Sequence, residues 1–400
     1  MSREKMFSTH KALVFSVFTL VFLTLISFSG NSIAEEKETV LVVVVQPQSG
    51  PSATWGVLSV EGVRLGVEQI NAAGGLLGKQ LRLEALDDQS KPAVSVAAMK
   101  KAVGLKPYVV FGTNMSSSTL INMSVLEEAG IPQFSGSVSP KITQQGNRNI
   151  FMACMNADNL QQKSKDWLIN VVRSRKMAVI YVADEMGKAT LDSLVEVLKG
   201  TETKMVEVRS SDVGQADYTG DLVKIDNSGA DTLYIIQRCD EIARILLQCE
   251  KLGLNKKLRI VGTETLIGPD TIRLAKTAAE GMSAIADLTY KTPSMWPMAV
   301  AYKGRFGRFP GHDAIKAYLS VMIVATATEE VGAFDQQRIK DFLHNRTLCT
   351  KKYRWMPIDV HYDKNGILDR ECYELMVKNG DQVVNKVLSP VHPENFQACK

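Results

Sequence analysis

The chain has 400 residues, of which 45% are hydrophobic and 22% charged. This composition excludes a disordered chain and supplies enough apolar material for two domains with cores of their own. The formal net charge of +4 is too small to indicate a nucleic-acid partner, and the short basic clusters at residues 173–176 and 351–352 are typical of a solvated surface.

Residues 1–34 have the pattern of an export signal. Basic residues precede an apolar run over residues 12–28, and Ser32-Ile33-Ala34 supplies the small side chains at which a signal peptidase cuts. The alternative is a membrane anchor, but a span needs about 20 apolar residues and this run is shorter. We therefore predict cleavage near Ala34 and an exported mature protein.

From residue 40 onward, short apolar runs alternate with segments of helical period, which indicates parallel α/β layers. Strands are predicted at 40–47, 81–88, 108–112 and 131–136, and helices at 56–75, 92–103 and 119–129. The first helix is predicted to bury one face formed by Val57, Val60, Val63, Val67 and Ile70. Together these elements make one doubly wound domain.

The alternation then restarts with a helix at 158–173. Strands follow at 177–184, 204–210, 231–237 and 258–263, with helices between them, and later helices are predicted at 295–308, 312–331 and 336–344. Near the C-terminus, Lys364-Asn365-Gly366 is a turn between two strands. The fold class is thus α/β, with two doubly wound parallel-sheet lobes that face each other across a cleft.

The six cysteines can form disulfides in an exported chain. Cys349 and Cys372 flank the C-terminal strand pair and are the predicted bond, although six cysteines allow 15 connectivities.

No catalytic signature occurs in the sequence. The run from Gly74 to Lys79 resembles a phosphate loop, but it follows a helix and carries Gln80 where a magnesium-binding Ser or Thr is needed. A helix C-terminal turn explains the run better. The histidines lack metal-ligand spacing, so we expect no metal, no cofactor and no enzymatic activity.

Four hydroxyl residues, Ser116 to Thr119, stand between a predicted strand and the next helix. This position is the carboxyl edge of a parallel sheet, where ligands of open α/β folds bind. Free N–H groups at a helix N-terminus, together with Ser hydroxyls, can hold a carboxylate without Lys or Arg. One Ser could be a simple N-cap, but four are present, and Ser116 and Ser117 are the predicted ligand contacts.

Two other loops end at the same edge of the sheet. Residues 48–56 carry Trp55, which is either a wall of the ligand site or ordinary packing, and residues 135–140 (SGSVSP) again cluster hydroxyls.

The stretches VVQPQSGPSATWG, GVRLGVEQINAAGGLLGKQLRLEALDDQSKP, VVFGTNMSSST and AGIPQFSGSVSP together resemble the leucine/isoleucine/valine-type, or branched-chain amino acid, substrate-binding proteins of bacterial ABC importers. The resemblance covers the mature chain and implies the type I periplasmic-binding-protein fold. It implies a monomeric periplasmic protein that captures an amino acid or small carboxylate and delivers it to an ABC permease of the inner membrane. The alternative is a sensory protein that signals to a partner without transport.

The resemblance also implies roles for residues of the first lobe. Trp55 matches the aromatic residue of the first loop, and Met115 and Ser116 match the residues that hold the carboxylate. The loop from Ser137 to Ser139 matches the third ligand-binding loop, although it is one residue shorter here.

In the second lobe, Glu264 matches an acidic residue that meets the ligand ammonium, which agrees with the need of a buried cation for a paired carboxylate. Its alternative is an exposed surface Glu. Two positions depart from the family: Met186 replaces a frequent Tyr, and Arg238 and Cys239 replace aromatic residues. Arg238 either binds a second acidic group of the ligand or pairs with Asp240 or Glu241, so the ligand side chain is left open.

A hinge of three segments is also implied, near residues 151–156, 281–288 and 349–357. The N-terminal lobe would then comprise residues 39–153 and 285–350, and the C-terminal lobe residues 156–282 and 353–395.

Overall fold

The computed structural model describes residues 38–400, so the predicted export signal at residues 1–34 lies outside the described range. Within that range, no single helix is long and apolar enough to cross a membrane. The helices His312–Val331 and Gln336–Leu343 reach that length and apolar content only when taken together, and they are bent sharply relative to each other.

A five-stranded parallel sheet organises the first lobe. Its strands are β1 (Thr39–Gln46), β2 (Gln80–Asp87), β3 (Val109–Phe111), β4 (Gln133–Ser135) and β5 (Ile150–Met152), and their spatial order is β2-β1-β3-β4-β5. Residues 42–46 of β1 are buried, as expected for a parallel strand covered on both faces. Helices α1 (Ala53–Ala72), α2 (Pro92–Gly104) and α3 (Ser116–Glu128) connect the strands.

A seven-stranded sheet organises the second lobe. Its strands are β6 (Lys176–Val182), β7 (Lys204–Ser211), β8 (Thr232–Ile236), β9 (Arg259–Gly262), β10 (Ser283–Ala286), β14 (Cys372–Lys378) and β15 (Asp381–Leu388), in the spatial order β15-β14-β10-β9-β8-β6-β7. The pairs β10–β14 and β14–β15 are antiparallel, and the other pairs are parallel. The accompanying helices are α4 (Ala157–Asn170), α5 (Glu185–Leu198), α6 (Thr219–Asn227), α7 (Cys239–Lys251) and α8 (Pro269–Ala275).

After β10 the chain forms three helices, α9 (Trp296–Phe306), α10 (His312–Val331) and α11 (Gln336–Leu343). The helix α10 is buried along residues 313–328 and packs on α1. Gly62 of α1 permits this contact, because a Cβ atom there would lie 2.1 Å from the carbonyl oxygen of Ala314. The first turn of α10 is therefore held against α1 of the first lobe.

A small antiparallel sheet is formed by β11 (Arg346–Leu348), β12 (Val360–Tyr362) and β13 (Leu368–Asp369). It precedes the third and last crossing, meaning the third segment in which the chain passes from one lobe to the other. It joins the edge of the first sheet, because Gly366 O accepts the Met152 N–H at 2.9 Å and the Tyr362 hydroxyl donates to Met152 O at 2.8 Å. The chain enters the second sheet only at β14, so strand membership puts the third crossing at residues 370–371, later than the expected 349–357. The lobe ranges given above stay predictions.

The predicted strands and helices are present, with shifted ends. The main shift is in α3, which begins at Ser116 and not at Thr119, so the hydroxyl run forms its first turn. On the predicted buried face of α1, Val57 is 37% exposed, whereas the other four residues are buried. The short strands β5 and β10 and the hairpin of β14 and β15 were not among the predicted elements.

The predicted Cys349–Cys372 disulfide is wrong, because Cys349 bonds to Cys399. The last crossing carries Cys372 into the second sheet, where it is a buried free thiol with its Sγ 3.3 Å from Met155 Sδ. The C-terminal turn Pro393–Cys399 returns to β11 and brings Cys399 to Cys349. The choice of partner thus follows from the path of the chain after β13.

Candidate functional site

A cavity lies between the two lobes at the carboxyl ends of their parallel strands. The first lobe lines it with Trp55, Asn114, Gly136, Val138, His312, Asp313 and Lys316, and the second with Ala157, Leu160, Gln161, Met186, Thr190, Thr263, Glu264 and Thr265, while Met155 comes from the first crossing. The enclosed volume is about 40 Å³, a few times the space that one buried water needs. A molecule held here would touch both lobes.

Three of the residues predicted from the sequence, Trp55, Met186 and Glu264, line this cavity. The other predicted ligand contacts, Met115, Ser116, Ser117, Ser137, Ser139 and Arg238, lie beside it and do not line it. Hydrogen bonds and ion pairs account for the positions of Ser116, Ser137, Ser139 and Arg238.

Ser116 joins the start of α3 to the loop after β4. Its side chain is almost fully buried, and its Oγ accepts the N–H groups of Val138 and Ser139, both at 3.3 Å. The N-cap of α3 is Met115, and no side chain caps the helix. Within the described chain, the N–H groups of the first turn, which includes the half-buried Ser117, therefore lack a capping acceptor.

The hydroxyls of Ser137 and Ser139 form hydrogen bonds with other groups of the protein. The Ser137 hydroxyl donates to Thr113 O at 3.1 Å and bonds the Thr119 hydroxyl at 2.9 Å, inside a buried hydroxyl cluster. The Ser139 hydroxyl donates to Oε1 of Glu185 at 2.8 Å, and thereby links the two lobes.

Arg238 lies behind Trp55, with its guanidinium carbon 5.0 Å from the centre of the indole ring. Its side chain is 3% exposed and forms ion pairs with Asp184 and Glu241. Asp240 instead accepts the Thr54 hydroxyl at 3.1 Å. Two carboxylates therefore already balance the charge of the guanidinium, although its Nε and Nη1 have no hydrogen-bond partner among residues 38–400. Arg238 is a contact between the lobes in this closed form.

Glu264 is the predicted residue whose surroundings point most directly to a ligand. Its side chain is 12% exposed, Oε1 lies 3.9 Å from His312 Nδ1, and Oε2 is buried without a hydrogen-bond partner among residues 38–400. Burial raises the pKa of Glu264, although the nearby imidazole of His312 opposes that change. A buried carboxylate oxygen without a donor is costly and is stabilised by a ligand that brings one.

Sequence reasoning missed the charged residues at the start of α10. His312 Nε2 lies 2.7 Å from Asp287 Oδ1, and Lys316 Nζ lies 2.8 Å from Asp313 Oδ1. The signal was present: three ionisable residues occur in the first two turns of a helix whose residues 317–328 carry no charge and are buried. Such a helix is buried, so its charged residues need partners or a function.

The two ion pairs fix the charges around Glu264. Burial opposes the charged form of His312, but the charge of Asp287 and its hydrogen bond raise the His312 pKa overall. Burial likewise opposes ionisation of Asp287, yet His312 holds the pKa of Asp287 below its ordinary value. Lys316 is buried too, and Asp313 raises its pKa. With these groups paired, Glu264 is the remaining carboxylate of the cavity wall.

No group of three or more His, Cys, Asp or Glu residues in the described part of the chain is arranged to hold a metal ion.

Two α/β lobes that enclose a cavity with both apolar and charged walls at the carboxyl edges of their sheets define a two-lobed solute-binding protein. Residues 39–381 match the family model of periplasmic binding proteins, and the chain belongs to this family. The family is extracytoplasmic and non-enzymatic.

Among curated relatives, an amino acid binding protein of Pseudomonas aeruginosa is 28% identical over 366 residues, which cover 89% of this chain and 94% of the relative. Among solved structures, the branched-chain amino acid transporter substrate-binding protein LivJ of Streptococcus pneumoniae, in complex with isoleucine, has a TM-score of 0.78 and 21% identity, covering 88% of this chain and 99% of the other. A solute-binding protein of an ABC transporter from R. palustris, in complex with benzoate, has a TM-score of 0.79 and 15% identity, covering 88% and 97%. The resemblance to the leucine/isoleucine/valine-type proteins and the type I fold are confirmed.

Proposed function

We propose that the protein captures a free amino acid between its lobes and delivers it to an ABC importer. The observation that carries this proposal is the buried Oε2 of Glu264, which has no donor in the described chain. An α-ammonium group supplies both a positive charge and hydrogen-bond donors to that oxygen. A ligand that carries only a carboxylate supplies neither.

The carboxylate of the ligand would bind at the first turn of α3. The N–H groups there lack a side-chain cap, and the positive end of a helix favours an anion. Ser116 and Ser117 remain the proposed contacts at that end. Movement of the Ser116 hydroxyl from the Val138 and Ser139 amides toward the ligand would complete the site.

Related proteins support the proposal that the ligand is an amino acid. A relative named for amino acid binding spans nearly the whole chain, and a structural neighbour holds isoleucine. Another neighbour holds benzoate, so a carboxylate without an ammonium group is the alternative ligand. The charge of Glu264 favours the amino acid.

The delivery partner follows from the same relationship. An ABC permease of the inner membrane would receive the ligand from the closed form of a periplasmic monomer, after cleavage of the export signal near Ala34. Signalling to a sensory partner is the second candidate. Permease and ATPase genes next to the gene of this protein would favour transport.

Calorimetry with leucine and with 4-methylpentanoate, its analogue without the amino group, tests the ligand class. We expect leucine, or another amino acid in the same screen, to bind more tightly than its deaminated analogue. Glu264→Gln should remove a charge-assisted hydrogen bond worth about 1.5 to 3 kcal/mol, which is roughly ten- to a hundredfold in Kd. Glu202→Gln, at an exposed position of the same lobe, is the control.

Equal binding of the acid and the amino acid, with no effect of Glu264→Gln, would contradict the proposal and favour a simple carboxylate.

A further inference from the structure

An ammonium group that belongs to the protein already lies in the wall of the cavity. Lys316 Nζ donates to the carbonyl oxygen of Gly136 at 2.8 Å and pairs with Asp313 Oδ1 at 2.8 Å. All three residues line the cavity, and Lys316 is 5% exposed. A carbonyl oxygen and a carboxylate oxygen that converge on one point form an acceptor set suited to an ammonium ion.

The surrounding residues are shaped to hold this ammonium. A Cβ atom on Gly136 would lie 2.7 Å from Lys316 Cε and 2.2 Å from Asn114 Oδ1, so a larger residue there would displace these two side chains. The amide of Asn114 in turn donates to Asp313 Oδ1 at 2.8 Å and fixes that carboxylate. The arrangement is therefore a formed cation position, which the protein fills with its own side chain.

We infer that Lys316 determines the ligand class by filling a second cation position of the cavity, so that the site accepts amino acids with one positive charge and rejects dibasic ones. The inference rests on the proposed function, in which Glu264 takes the α-ammonium.

The physical reason is charge matching in an enclosed space. His312 is paired with Asp287 and Lys316 with Asp313, so Glu264 is the one carboxylate of the wall left for a ligand cation. The second ammonium of lysine or ornithine would approach the ammonium of Lys316 where solvent screens little, and like charges repel strongly there. Removal of the Lys316 side chain would free Asp313 Oδ1 and Gly136 O for that second ammonium.

The matched ligands L-norleucine and L-lysine differ by the terminal ammonium and test the inference by calorimetry, after a thermal-shift screen of all common amino acids. The wild-type protein should respond to neutral amino acids and bind norleucine at least tenfold more tightly than lysine. In Lys316→Ala, the ratio of the two Kd values should move at least tenfold toward lysine. The double variant Asp313→Asn/Lys316→Ala should lose that gain.

Lys340→Ala is the matched control, because Lys340 is also 5% exposed and also donates to a carbonyl oxygen, of Gly130, and to a side-chain oxygen, of Asn149. It lies outside the cavity and should leave the ratio unchanged. If Lys316→Ala does not fold, Asp313→Asn alone leaves an unmatched ammonium beside Glu264 and should weaken binding of neutral amino acids at least tenfold.

Equal wild-type affinity for lysine and norleucine would overturn the inference, as would an unchanged ratio in folded Lys316→Ala or unchanged binding by Asp313→Asn. A wild-type protein that responds to no amino acid would instead overturn the proposed function.

Discussion

The hydroxyl of Ser139 in the first lobe donates a hydrogen bond of 2.8 Å to Oε1 of Glu185 in the second lobe. Lys141 Nζ also donates to Glu185, at 3.1 Å from Oε2. The closed form is thus held in part by contacts that need no ligand.

Glu185→Ala should shift the protein toward an open form, because two contacts between the lobes are lost. Apparent ligand affinity decreases in proportion to the fraction of molecules that can still close. We expect the Kd to rise a few-fold. Small-angle scattering should show a larger radius of gyration without ligand. Glu196→Ala is the control, since Glu196 is exposed on the same helix and pairs with Lys199 of the same lobe. An unchanged radius and an unchanged Kd would mean that closure does not depend on Glu185.

Ser116→Ala should lower stability as well as ligand affinity. The change leaves the partly buried N–H of Val138 and the buried N–H of Ser139 without their acceptor, and an unsatisfied buried donor costs about 1 to 3 kcal/mol. Denaturant unfolding measures the loss, with Ser124→Ala on the exposed face of α3 as the control. Weaker ligand binding without any loss of stability would show that the hydroxyl serves the ligand alone.

The His312–Asp287 pair should make stability depend on pH. The His312 pKa is raised from 6.5, so its contribution is complete below pH 6.5 and is lost as pH rises through the raised value. The Asp287 pKa is lowered from 3.8, so its contribution is complete above pH 3.8 and is lost as pH falls through the lowered value. The pair therefore stabilises the protein fully between these two pH values.

Thermal melts of the ligand-free protein from pH 4 to pH 9 test this dependence. The difference in Tm between the wild type and His312→Gln should be largest near pH 5 and should shrink above pH 6.5. His392→Gln, at an exposed histidine, is the control. A constant difference across the range would mean that His312 does not change its charge there.

The Cys349–Cys399 bond closes a sequence separation of 50 residues, and a disulfide of this kind typically adds about 2 to 4 kcal/mol by restricting the unfolded chain. Cys399→Ser should lower the free energy of unfolding by that amount, whereas the double change Cys349→Ser/Cys399→Ser should cost little more. Peptide mapping without reduction should find Cys372 as a free thiol. Detection of a disulfide-linked peptide pair that contains Cys349 and Cys372 would contradict the Cys349–Cys399 bond and support the pairing expected from the sequence.

The sequence by itself determined the fold class. The run VLVVVVQ is short and rich in β-branched residues, which favours a buried strand, and helical periods follow it and its successors in a regular alternation. This signal is local and needs no tertiary information. Short ordered motifs then carried the resemblance that assigned Trp55 and Glu264 to the cleft, and both line the cavity.

Only the tertiary structure decided the charges of the site. Glu264, Asp287 and His312 come from three separate segments, and their pKa values depend on distances and burial that no sequence pattern contains. The same holds for the hydroxyls of Ser137 and Ser139, which turned toward protein partners, and for Cys399, which the returning chain brought to Cys349. A periodic pattern records which residues are buried, whereas the partner of a buried polar group is set by segments that meet only after folding.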